Sequence, residues 1–572
     1  MSDSNQAAEA LATASKRPAL RVTLSLMLIV FGTLQLKHLS HPLLWQDEGE
    51  TAMFGRRVLE FGYPKVSDGR NVVYGMGLPL EVAVDEENDA YIGSLWGQYY
   101  FAALGVALSD AVEDSGWQTA LVRLPFVLAG LIGLLLVLLS VQPLLAPGRS
   151  GLWPAAIAYL VLLSVSTSLI LHLREARYYP LVVLLLGGIV FVHQRMLVPA
   201  LRVGGEPGRS TLGAAWLTLL LLLLFNVFYP AAASVMLWLG IEALWLGWRN
   251  ASTPTGLLAR GGKIWIPLVL VTAVCIPIAL FFEIPQLSRS MSERWSFGWS
   301  HYVANLGLIL GYLLRFEMLV PVLLAEAVIL ATRRRSASED GLRQPAVSLL
   351  VLCVTWTLVG ARNPIFFERY FVPLSPVLSL ILVIDVILLL RRLPKRGRAV
   401  GGRLALQTGA LVVGVAIVVL RWPELHGRIV EIFVPYRGPV DLIVEALRGR
   451  PGDPAALTIA TNYEAESLMF HLGSRVVGRF HAATADANAA EAAVVPDVVI
   501  PRTAQPKRLS EVRRYLTRGG YEPMRLPIAD WPYNNVPELF DGGVLVTPHR
   551  FRTPEPEEGL PPLIIYVRDI SA

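Results

Sequence analysis

The chain has 572 residues, of which 54% are apolar and only 17% charged, with a mean hydropathy of +0.51. Those values exclude a large soluble fold and describe a chain that crosses a membrane many times. The net charge of +5 does not indicate a nucleic-acid face, because the Lys and Arg residues come in short clusters between apolar runs, as topology determinants do. Both cysteines, Cys275 and Cys353, lie inside apolar runs, so neither a disulfide nor a zinc framework is implied.

A helix needs about 20 apolar residues to cross the hydrocarbon core, and about 11 stretches approach that length. In chain order they cover 19–37, 120–142, 152–171, 178–195, 211–226, 230–248, 264–283, 304–331, 346–361, 371–390 and 404–421. Lys16, Arg17 and Arg21 place the amino terminus in the cytoplasm. Alternate loops are then basic, with Arg195, Arg202 and Arg209, then Arg249, Arg260 and Lys263, then Arg333 to Arg335, then Arg391 to Arg403. The first span lacks a small-residue cleavage site and is expected to remain as an anchor. With an odd number of spans, the loop over 38–118 and the carboxyl-terminal region both fall outside.

The 38–118 loop is too long for a simple connection and should carry structure. Glu48 to Phe61 has Phe54, Val58 and Phe61 on one face and Gly62 as a stop, which predicts an amphipathic helix lying flat in the interface. Leu95 to Leu108, with Trp96, Tyr99, Tyr100 and Phe101, is a second such helix. Beyond the spans, residues 422–572 regain Pro, Gly and charge. Strand patterns at 457–460, 494–500, 543–546 and 563–567 alternate with helical ones at 465–472 and 509–518, predicting an extracytoplasmic α/β domain behind a membrane domain over 1–421.

Three clusters carry chemistry. The first is Asp47-Glu48, a costly acidic pair just where the first span leaves the lipid. Asp47 with Glu50 also fits a capping box that opens the helix. The second is His172-Leu173-Arg174-Glu175-Ala176-Arg177-Tyr178-Tyr179-Pro180, and the third is Arg362-Asn363-Pro364-Ile365-Phe366-Phe367-Glu368-Arg369-Tyr370-Phe371-Val372-Pro373. Both fall on the same side as the first. The arginines could instead snorkel to headgroups, and Glu175 suits a salt bridge between them. His38, His41 and His172 lack metal-ligand spacing, and no metal is assigned. Trp531-Pro532-Tyr533-Asn534-Asn535 reads as a packed turn, with sugar stacking as the alternative.

The order and sidedness of these clusters resemble the GT-C superfamily of membrane glycosyltransferases, in the branch of protein O-mannosyltransferases and the lipid A aminoarabinose transferase. The resemblance covers 1–421. It implies an α-helical polytopic enzyme of a bacterial-type inner membrane, moving a sugar from a polyprenyl-phosphate donor to a lipid, polysaccharide or protein acceptor outside, usually with inversion. On that basis Asp47 is the expected general base. Glu48, about 100° away on the helix, is expected to bind the acceptor or position a cation. Arg174, Arg177 and Arg369 are expected on the donor phosphate, with Tyr178 as a hydroxyl donor. Glu175, Arg362, Glu368 and Tyr370 are expected in support. No cofactor is assigned. A divalent cation is not favoured, because the six or so oxygen ligands it needs are not in view.

A transporter or flippase of a lipid-linked substrate is the competing class, and Pro230, Pro267, Pro277 and Pro321 within spans suit it. Its charges should lie near the bilayer midplane in matched halves, whereas these clusters sit at one surface. A non-catalytic scaffold would tolerate Asp47→Asn.

Overall fold

A computed structural model of the protein describes residues 21–73, 83–145, 152–201, 207–250, 254–294, 297–332, 337–364 and 367–392, most of 419–478 and 491–530, and 538–540, 544–546 and 561–568. Among them, seven helices are long and apolar enough to cross a membrane, and three shorter apolar helices accompany them. The expected span at 404–421 lies almost wholly outside the described residues.

After α1 (Arg21–Leu36) come α2 (Gln46–Phe61), a two-stranded β1–β2 hairpin (Val84–Asp85, Ala90–Tyr91) and α3 (Gly97–Ser109). The bundle continues with α4 (Ser115–Ser140), α5 (Leu152–Ser164), α6 (Thr167–His172), α7 (Tyr178–Val192), α8 (Pro207–Val227), α9 (Tyr229–Asn250) and α10 (Pro254–Phe281). It closes with α11 (Ile284–Arg294), α12 (Trp299–Phe316), α13 (Leu319–Ala331), α14 (Ala337–Gly360) and α15 (Leu374–Arg392). The helices α4 and α7 pack closely. A Cβ on Gly187 would stand 2.4 Å from the Gly133 carbonyl oxygen, so only glycine permits that approach.

Two expected spans are broken. The 304–331 stretch is the pair α12 and α13, interrupted at Glu317, whose buried carboxylate accepts hydrogen bonds from Tyr312 (2.8 Å) and Ser375 (2.5 Å). A lone carboxylate in apolar surroundings needs such partners, and opening the helix supplies them. The 152–171 stretch divides at Ser166, which caps α6 by accepting from the Leu169 amide. Pro230 and Pro321 stand in the first turns of α9 and α13, where a missing N–H costs nothing, while Pro267 and Pro277 are carried within one continuous α10.

The carboxyl-terminal region is an α/β sheet, as its alternating pattern predicted. It comprises α16 (Pro439–Arg448), β3 (Thr458–Thr461), α17 (Ala465–Leu472), β4 (Arg475–Val477), β5 (Val498–Ile500), α18 (Leu509–Arg514), β6 (Tyr521–Ala529), a β7–β8 hairpin (Glu538–Phe540, Val544–Val546) and β9 (Pro562–Arg568). The five-stranded sheet runs β4-β3-β5-β9-β6, with β4 and β5 parallel to β3 and β9 antiparallel to β5 and β6. Trp531 to Asn535 lies outside the described residues.

This domain packs on the first loop. The Leu43 amide donates to both Asp441 oxygens (3.3 and 3.2 Å), and Asn71 donates to the Ser474 carbonyl (3.0 Å) while accepting from the Val476 amide (2.8 Å). Leu43, Phe54, Val440, Leu468 and Ile565 share one hydrophobic core. Helix α2 is largely buried, with Gly55 against Ala102 of α3 and Gly49 against Ser467 of α17, because the domain covers the face that a surface helix would turn to water.

His471 lies under this seam with both ring nitrogens unpartnered among the described residues. Burial, with Arg448, Arg123 and Arg56 adding, pushes its pKa down to about 3. A folded value below the unfolded one near 6.5 means that the stability it contributes is complete above about pH 6.5 and falls as pH drops toward 3, by about 1.4 kcal/mol per unit. Thermal unfolding at pH 7.5 and 5.0 should show that loss, and His471→Gln should flatten it; equal slopes for the two proteins would refute the assignment.

Candidate active site

The site is built at the start of α2. Trp45 precedes the helix with extended backbone (φ −84°, ψ 177°), no side chain caps it, and Asp47 and Glu48 occupy the first turn. The capping-box role for Asp47 is thereby overturned, since the helix begins at Gln46, before the residue that would have to cap it. Two carboxylates in a first turn still match the exposed N–H groups electrostatically. Their side chains diverge, with a quarter of Asp47 accessible and none of Glu48.

Asp47 meets both later clusters. Its Oδ2 lies 3.4 Å from Arg177 Nη2 and 3.6 Å from Arg369 Nη2, and the two guanidinium side chains are only 12% and 8% exposed. Arg177 comes from the turn that opens α7, and its Nη1 donates to the Asp47 carbonyl (2.9 Å) and to Thr51 Oγ1 (3.1 Å). Arg369 stands in the short 3-10 turn Glu368–Phe371. Its guanidinium lies 4.4 Å from the Phe367 ring centroid, 5.9 Å from Trp45 and 6.0 Å from Tyr179. Burial opposes the charge on Arg177, and Asp47 outweighs it; for Arg369 the tyrosines and Asp47 together do so, leaving both above the ordinary arginine value. The Tyr178 ring lies 6.4 Å from that of Tyr370 and stacks on Phe228 at 4.6 Å. Asp47, Arg177, Arg369, Tyr178 and Tyr370 thus converge.

The other expected residues lie elsewhere. Glu48 accepts from Arg123 Nε (2.8 Å) and Nη2 (2.5 Å) and from the Ala176 amide (2.8 Å), closed off from any acceptor or cation. Arg123 also donates to the carbonyls of Leu39 and Pro42 (2.9 and 2.8 Å), so one ion pair fastens the α1–α2 link, α4 and the α6–α7 turn. Arg174 does not join Arg177 and Arg369 beside Asp47: its guanidinium donates to the carbonyls of Leu34 and Lys37 (both 2.6 Å), capping the end of α1. Burial, with the Arg123 charge behind it, pushes its pKa down to about 9. Glu175 Oε2 faces His172 Nδ1 at 3.5 Å, and its charge acts on Arg123. Glu368 is buried, and Arg362 is exposed to the surroundings.

Arg123, Trp45, Thr51 and Tyr179 were not singled out from the sequence. Arg123 had a signal, because a single charge inside an apolar span rarely lacks a task. Among the described residues no three His, Cys, Asp or Glu side chains are grouped to hold a metal, and the charged neighbours of Asp47 are both cations.

Fold and site together define a polytopic helical chain whose bundle carries, at one end, a carboxylate between two buried arginines, roofed by an α/β domain. No family model and no curated protein matches the sequence. Among solved structures it is similar to ArnT from Cupriavidus metallidurans in the apo state, at 14% identity and a TM-score of 0.49 over 89% of this chain and 92% of that one. It is also similar to the archaeal oligosaccharyltransferase AglB from Archaeoglobus fulgidus in complex with an inhibitory peptide and a dolichol-phosphate, at 12% identity and a TM-score of 0.48 over 89% and 70% of the two chains. The apo form of the Archaeoglobus fulgidus oligosaccharyltransferase gives 12% identity and a TM-score of 0.48 over 88% and 69%. At such scores the reaction has to be read from the site's own chemistry.

Proposed function

We propose that the protein is a GT-C-type glycosyltransferase that moves a sugar from a polyprenyl-phosphate donor to an acceptor hydroxyl at the outer face of an inner membrane, with inversion. The observation that carries this reading is the placement of Asp47 between Arg177 and Arg369: a base and an anion cradle within one charged contact. The acceptor hydroxyl gives its proton to the Asp47 carboxylate as its oxygen bonds to the anomeric carbon. The bond from that carbon to the phosphate oxygen breaks, its electron pair leaving with the polyprenyl phosphate. Arg177 and Arg369 stabilise the charge gained there, in surroundings dry enough to strengthen the attraction. Tyr178 and Tyr370 add hydroxyls beside them. Glu48 and Arg174 are positioning residues in this scheme, the first aiming α2 and the second holding α1.

An apolar groove of about 580 Å³ between α3, α8 and α10, lined by Trp96, Tyr100, Leu223, Ile278 and Phe281, suits the carrier's chain. Asn226 borders the groove, and Phe228 two residues on stacks on Tyr178.

Binding of undecaprenyl phosphate to the full chain in lipid nanodiscs tests the reading. Arg177→Ala or Arg369→Ala should weaken it by about ten- to a hundredfold, the worth of a charge-assisted contact. Unchanged affinity in both variants would refute the phosphate assignment.

A further inference from the structure

The sheet has a reversal in its winding, and the helix that follows β3 packs on the start of α2. From β3 the chain passes through α17 to β4 on one side, then returns past β3 to β5 on the other. In open α/β sheets the carboxyl ends of two such strands frame a crevice, and ligands bind there. Here the crevice is edged by Asn462 and Tyr463 after β3 and by Arg502 and Thr503 after β5. Asn462 locks the edges together, donating to the carbonyls of Arg502 (3.1 Å) and Gln505 (2.6 Å) and accepting from the Arg502 amide (2.9 Å). Glu464 holds a left-handed backbone (φ 58°), a conformation costly for a non-glycine residue, and its carboxylate is fastened by the buried Arg502.

The crevice faces the start of α2. Gln46 Nε2 donates to Glu466 Oε2 at 2.5 Å, and Gly49 is so close to α17 that a Cβ there would stand 2.5 Å from Ser467 Oγ. Tyr463, only 4% exposed, belongs to none of the hydrophobic clusters. Its ring lies 5.4 Å from the Arg502 guanidinium, and the charges of Asp47 and Arg369 act on its hydroxyl. Burial, and then Glu464, hold that hydroxyl well above the ordinary tyrosine value, so it remains a proton donor.

Around the same point several buried polar atoms have no hydrogen-bond partner among the described residues: the Trp45 indole N–H, Gln46 Oε1 and the Tyr179 hydroxyl. Native proteins satisfy nine in ten such groups, and the indole can only donate, the amide oxygen only accept, and the phenol do either. A ligand that offers several groups able to both donate and accept, on a ring whose C–H faces rest on aromatic side chains, matches this set. Polyhydroxylated rings have both properties.

We propose that the seam between the start of α2 and the β3–α17 loop is the acceptor subsite, that Tyr463, Trp45 and Gln46 are its specificity-determining residues, and that the acceptor is a carbohydrate hydroxyl. This rests on the glycosyl-transfer reading above.

The test uses the full chain in nanodiscs with undecaprenyl-phosphate-linked mannose, glucose or arabinose as donor. Octyl mannoside, octyl glucoside and octyl galactoside serve as one class of acceptor and a serine-containing hexapeptide as the other. Transfer is expected to at least one octyl glycoside and not to the peptide. Tyr463→Phe and Trp45→Phe should each raise KM for that glycoside about tenfold, the loss of one hydrogen bond, with a smaller effect on kcat than on KM. Transfer to the peptide alone, or an unchanged KM in both variants, overturns the proposal. If no glycoside accepts sugar but the donor is still cleaved to undecaprenyl phosphate in an Asp47-dependent way, the subsite assignment fails and the transferase reading stands. If donor cleavage is also missing, both fall.

Discussion

Asp47→Asn should lower sugar transfer by about 10²- to 10⁴-fold while undecaprenyl phosphate binds at least as tightly as it does to the wild-type chain. The rate loss follows from the role of the carboxylate: an amide of the same shape cannot take the acceptor proton. The binding result follows from the ion pairs at 3.4 and 3.6 Å. In the free protein Asp47 competes with an incoming phosphate for Arg177 and Arg369, and replacing it removes the competitor. Kinetics in nanodiscs and a direct binding isotherm separate the two effects. A variant that kept wild-type turnover would remove Asp47 from the reaction, and one that lost phosphate binding along with turnover would make it a structural residue.

Arg123→Ala should be the most destabilising single change near the site, costing about 3–5 kcal/mol, because it strands a fully buried carboxylate. Glu48→Gln should cost less, since the amide oxygen can still accept from the Ala176 amide. Replacing both, as Glu48→Gln with Arg123→Met, should cost less than the sum of the single changes, the signature of a direct pair. Thermal melts of the detergent-solubilised protein read all three. An Arg123→Ala protein that melts with the wild type would show that the pair does not hold the α1–α2 link, α4 and the α6–α7 turn together.

How far the sequence disclosed this arrangement depended on the distance over which each cause acts. The α17 helix follows from a local pattern, and its bounds at Ala465 and Leu472 are those the pattern predicts. Gly62 ends α2 in the left-handed conformation, with its amide donating to Val58, as a helix-stopping glycine should. The meeting of Asp47 with Arg177 and Arg369 was expected only as the joint requirement of a reaction. Glu48 was misread because its partner, Arg123, is 75 residues away and nothing local distinguishes a buried acid from an accessible one. Arg174 was misread for a similar reason: its partners are backbone carbonyls, which leave no trace in composition. The break at Glu317 was legible as one acid in an apolar run, a sign that such a run is not one plain span.

The bond from Leu43 to Asp441 closes a circuit of 398 residues. Ribosomes add about 5–20 residues per second, so the first loop, once made, waits about 20–80 s for the segment that covers it. During that interval Phe54, Val66 and Tyr91 have no roof, and a chain truncated before the sheet would leave them so permanently. The first loop therefore reaches its final packing only after the segment carrying Asp441 has been made, which makes that segment the timer of its assembly.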